Sequence, residues 1–81
     1  MTPEQCRAAR GWLDLSQKDL AEVAGVALST VRDFEKGRRT PIANNLKAMQ
    51  AALEARGIVF SPGSITGPGE FQLTESLDST I

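Results

Sequence analysis

Residues 15–41 read LSQKDLAEVAGVALSTVRDFEKGRRTP, and the rest of the chain is read outward from them. The stretch divides into two short helices joined by a tight turn. Ser16 is a good N-cap, and Asp19 follows three residues later, which is a capping-box pattern. Leu20, Ala21 and Ala24 give the first helix one apolar face. Gly25 can adopt the left-handed conformation that stops a helix at little steric cost. Val26 and Ala27 continue the turn. A second helix is predicted over residues 28–36, with Val31 and Phe34 facing inward and Gly37 stopping it as Gly25 stops the first. Ser29, Thr30, Arg32, Asp33 and Lys36 share its outward polar face.

Two helices separated by three or four residues form the helix-turn-helix unit, whose second helix can lie in a DNA major groove. The chain resembles the lambda-repressor and Cro-like helix-turn-helix family, also called the XRE family. The resemblance is carried by Leu15-Ser16-Gln17, Leu20-Ala21, Gly25-Val26, Ser29-Thr30-Val31 and Phe34-Glu35-Lys36-Gly37. The run Arg38-Arg39-Thr40-Pro41 completes an E-x-G-x-x-x-P pattern, and with flanking helices the match covers about residues 3–57. It implies a mainly α fold: a small bundle of four to five helices, followed here by a short C-terminal β-hairpin.

It also implies sequence-specific binding of double-stranded DNA and regulation of transcription, with residues 28–36 as the recognition helix. Ser29, Thr30, Arg32 and Asp33 are the candidate base readers. Arginine suits guanine O6/N7 and aspartate suits cytosine N4; for Arg32 and Asp33 the alternative is pairing with helical neighbours. Lys36, Arg38 and Arg39 stand where the chain leaves the groove. They are either phosphate contacts or a solvated basic loop. Gln17 either holds a phosphate or braces the recognition helix. Leu28 either touches a thymine methyl or packs against the turn. In the resembling family, an arginine of the first helix pairs with the glutamate that ends the recognition helix, and Arg10 and Glu35 stand at the matching positions; they are either such a buried pair or two exposed charges. One departure is Ala27, where the family commonly has serine or threonine. Alanine cannot accept the free backbone N–H groups, so this cap is weaker by about 1 kcal/mol.

Thr2 and Pro3 open an N-terminal helix, and Gln5 completes a capping box. Cys6, Ala9 and Leu13 fall on one face, with Asp14 at the exit. Cys6 reads as a small buried apolar residue. Trp12 covers either the core edge of its own subunit, the reading favoured here, or a subunit contact. After the recognition helix, Thr40 reads as a cap and Pro41 as the first helical position. Ile42, Leu46, Met49 and Leu53 then form one apolar stripe, ended by Gly57.

With 81 residues the chain holds one small domain, marginal alone unless it oligomerises. One cysteine excludes an internal disulfide, and histidine is absent, so no metal site or cofactor is expected. No apolar run approaches the roughly 20 residues of a membrane span. MTPEQCRAAR lacks the apolar core of a signal peptide, and the expected location is cytoplasmic and nucleoid-associated. No nucleophile with a partner and no phosphate loop after a strand is visible, so no enzyme is expected. The formal net charge is -1, unusual for a DNA-binding domain. Its distribution is uneven. Residues 1–57 hold all nine basic residues against seven acidic ones, net +2, whereas residues 58–81 hold three acidic residues and no basic one.

Three segments follow: a DNA-binding domain over 1–57, a hairpin over 58–74 and a flexible acidic tail over 75–81. Ile58-Val59-Phe60 and residues 70–74 are the expected strands, separated by a turn-rich loop. A lone hairpin is marginal in water, so it lies on the bundle, adds to a second subunit or stays partly disordered. The expected assembly is a homodimer, paired through the hairpin, on a palindromic operator. The alternative from another class is an antitoxin or antagonist whose residues 58–81 bind a protein partner.

Overall fold

The computed structural model describes residues 1–69. It contains helices α1 (Pro3–Leu13), α2 (Gln17–Ala24), α3 (Leu28–Glu35) and α4 (Ala43–Glu54), then strands β1 (Val59–Ser61) and β2 (Ser64–Thr66). Both expected capping boxes form. Thr2 accepts from the Gln5 N–H and Ser16 from the Asp19 N–H, and each N3 side chain bonds back to the cap. Asp14 caps α1 in the left-handed region, at φ 57°. Gly25 ends α2 at φ 70°, a conformation that a β-carbon would disfavour. Ala27 has the extended backbone of an N-cap but makes no side-chain cap bond to α3.

Cys6 and Ala9 of α1, Leu20 and Ala21 of α2, and Val31 and Phe34 of α3 meet Met49 and Leu53 of α4 in one core, closed by Ile58. α2 lies centrally, packed on both α3 and α4, while α1 spans α3, α4 and β2.

Two expectations are corrected. α4 begins at Ala43, after Ile42, so Thr40 is not its cap and Pro41 is not its first residue. A proline holds the preceding residue extended, and Ile42 itself is extended at ψ 153°. Ile42 therefore leaves the stripe and is 69% exposed, while Met49 and Leu53 are buried. The hairpin is also tighter than expected. Val59 pairs with Thr66, Phe60 with Ile65 and Ser61 with Ser64. Pro62 and Gly63 alone make the turn: proline presets its own φ, and Gly63 sits at φ 73°. The run at 70–74 expected as the second strand, and the tail at 75–81, lie outside the described residues.

The hairpin rests on its own bundle. Phe60 and Ile65 pack against the core. The Gln5 amide donates to the carbonyls of Ser61 at 2.6 Å and Ser64 at 2.9 Å. Trp12 is half-buried and donates from Nε1 to the Pro68 carbonyl at 3.0 Å, the intrasubunit burial expected of it.

Candidate nucleic-acid interface

The orientation of α3 is set from its C-terminal end. Glu35 is 3% exposed, yet it is charged. Arg10 grips it with two parallel bonds, Nε to Oε2 and Nη2 to Oε1, each 2.6 Å. Such bidentate arginine–carboxylate pairs are among the strongest charge-assisted bonds. Gln17 Nε2 donates to Oε1 at 3.0 Å, and Cys6 Sγ donates to Oε2 at 3.1 Å. Arg7 donates to the Glu35 carbonyl, and Arg10 Nη1 reaches the Leu15 carbonyl at 3.0 Å. α1 and the start of α2 are thereby tied to the end of α3.

Electrostatics follow from these bonds. Burial pushes the Glu35 carboxyl up, but hydrogen bonds from Arg10, Gln17 and Cys6 and the Arg10 charge outweigh it, leaving it below the ordinary glutamate value. The bond to Glu35 raises Arg10 further. Burial and the bond to Glu35 push the Cys6 thiol up, so it stays protonated and donates. Cys6 is buried as the sequence suggested, but as the third side-chain donor to a carboxylate rather than as a purely apolar filler. Nothing in its spacing pointed to that partner.

The outward face of α3 is divided. Ser29, Thr30 and Asp33 line a notch of about 260 Å³ between α3 and the start of α4. Its other wall comes from Arg39, Thr40 and Pro41 of the connecting loop, with Ile42 and Asn45 beyond. Arg32, Lys36 and Arg38 are exposed outside this notch. Among the described residues, the side chains of Arg32 and Asp33 form no hydrogen bond or ion pair, so the helical pairing considered for them is not made. Leu28 is half-buried and packs against the core. Gln17 braces Glu35. Asn45 had no sequence signal, because its position depends on the path of residues 38–42 rather than on a motif. The described residues contain no group of three or more His, Cys, Asp or Glu suited to a metal, and no helix among them is long and apolar enough to cross a membrane.

Two short helices around Gly25, the second with an outward row of polar side chains, define a helix-turn-helix protein. The helix-turn-helix family model matches residues 7–57, more than half of the chain. The chain belongs to this family, in its XRE or lambda-repressor-like form, a family of DNA-binding regulators. No curated protein matches it.

Proposed function

We propose that this protein is a sequence-specific transcriptional regulator, a repressor that acts by occupying its operator. The observation that carries the reading is the outward face of α3. Among the described residues its polar side chains have no hydrogen-bond partner, while the opposite face is locked through Glu35. Such a helix presents donors and acceptors to a major groove at no cost in broken intramolecular bonds. Ser29, Thr30, Arg32 and Asp33 read bases; Lys36, Arg38 and Arg39 hold phosphates; Gln17 keeps α3 in place. Leu28 contributes by packing.

The active species is a homodimer on a palindromic site. A domain with net +2 over residues 1–57 gains little from phosphates alone. Two recognition helices about 34 Å apart, one turn of DNA, supply the affinity. The hairpin supports this assembly through Val59, an apolar side chain 58% exposed among the described residues.

The test is a mobility shift on DNA upstream of the protein's own gene at two salt concentrations. The double variant Arg38→Ala/Arg39→Ala should bind all sequences more weakly, with a salt slope flatter by about 1–2 units through counterion release. A loss of affinity at unchanged slope would refute the phosphate role. A wild-type chain that binds no DNA would favour the second reading, a protein-binding antitoxin or antagonist, for which the uncapped α3 and the acidic residues 70–81 speak.

A further inference from the structure

The notch between α3 and α4 contains more than the recognition helix brings to it. Asp33 and Thr30 are half-buried on one side, and Asn45 is half-buried on the other. Among the described residues, neither the Asp33 carboxylate nor the Asn45 amide has a hydrogen-bond partner. Half-buried polar groups left open in this way are satisfied only by water or by a ligand. Their chemistry restricts the ligand. The Asp33 carboxylate lines the same space as Asn45 and disfavours a phosphate beside it, even with Arg39 on the opposite wall. An ionised aspartate only accepts, whereas an asparagine amide both donates and accepts. Together they match a base edge that carries an exocyclic amino group. Asparagine pairs in bidentate fashion with adenine N6 and N7, and aspartate accepts from an amino group.

We infer that Asn45 is a specificity-determining residue: from α4, it reads an amino-bearing base, adenine above all, in the notch it shares with Asp33. Base recognition is then divided between α3 and α4. This inference rests on the DNA-reading function proposed above.

The experiment is selection of preferred sites from random DNA by the full-length wild type. Mobility shifts on every single-base-pair variant of the winning site follow, at two salt concentrations. Asn45→Ala keeps the helix, since alanine favours it, and far-UV circular dichroism verifies this. Asn45→Ala should weaken the preferred site roughly 5- to 150-fold. It should also flatten the preference at one base pair per half-site and leave the salt slope unchanged. Asn45→Asp, which can accept but not donate to N7, should move that preference from adenine toward cytosine. Equal weakening on all sequences, with no base pair losing its preference, would make Asn45 a phosphate contact and overturn the inference. So would an unchanged selection profile. If the wild type itself selects no site, the DNA-reading function falls and this inference with it. If the wild type selects a site and Asn45→Ala selects it equally well, only the inference falls.

Discussion

Burying a carboxylate is unfavourable unless both oxygens find donors. Glu35 meets that condition through Arg10, Gln17 and Cys6. The consequence is a pH dependence with a definite sign. The folded-state pKa lies below the ordinary value of 4.5, so this stabilisation is fully present above about pH 4.5 and is lost as pH falls through the lower folded value. Glu35→Gln should cost about 3 kcal/mol at pH 7, because Arg10 loses its counter-charge. In exchange its thermal midpoint should fall less steeply than that of the wild type below pH 4.5. Melts at pH 7, 4 and 3 measure both; parallel acid limbs would show that Glu35 is not the titrating group. The pairing of Arg10 with Glu35 was readable from the resemblance, since both occupy the family's positions. The bonds from Cys6 to Glu35 and from Gln5 to the hairpin were not. Each bonds a partner 29 or more residues away, and a helical face at periodic spacing gives no sign of such a partner.

At the scale of elements, boundaries follow the local chemistry wherever that chemistry is self-contained. Both capping boxes and the Gly25 stop were legible because every participant lies within a few residues. The start of α4 was misread because Thr40-Pro41 imitates a helix opening, while the chain is still extended at Ile42. α3 offers a direct test. Ala27 has N-cap geometry without a cap bond, so Ala27→Ser should stabilise the fold by about 0.5–1 kcal/mol. A thermal midpoint that stays level or drops would mean that serine finds no backbone N–H there. The hairpin offers another test. A β-carbon on Gly67 would overlap the Trp12 indole ring. Gly67→Ala should therefore displace the ring or lift the segment after β2 from α1 and cost about 1–3 kcal/mol. Indole fluorescence should shift to longer wavelength, and amides of β1 and β2 should exchange faster. Wild-type emission from the variant would rule out the packing described. The tight hairpin was missed because Pro62-Gly63 was read as part of a long loop rather than as a complete two-residue turn.

For the whole molecule, the proposed dimer places the contact between copies on the outer face of the hairpin. A truncation before the hairpin is a poor probe, because it also uncovers the core around Ile58, which is 2% exposed in the intact chain. Substitution on the outer face is cleaner. Val59→Glu places charge on the exposed side of β1 while Phe60 and Ile65 stay packed inward. Sedimentation should show the full-length variant as a monomer, with affinity for a palindromic site falling toward that for one half-site. A variant that remains dimeric at full affinity would place the subunit contact elsewhere. Sequence pattern alone could not decide between intrasubunit and intersubunit packing for these apolar residues, since both bury them equally well. The carbonyls of Ser61, Ser64 and Pro68, taken up by Gln5 and Trp12, tie the hairpin and the segment after it to their own bundle.

Those three bonds also order events on the ribosome. α1 is translated first, but the carbonyls that receive Gln5 and Trp12 belong to residues made 56 to 59 positions later. α2, α3 and the turn between them involve short sequence separations and can assemble while the chain is still growing. The N-terminal helix cannot take up its full set of contacts until residue 68 has left the exit tunnel. The clasp that fixes the first helix is thus among the last parts of the described chain to be synthesised. A nascent chain stalled before that point would carry α3 with the front of the domain still unfastened.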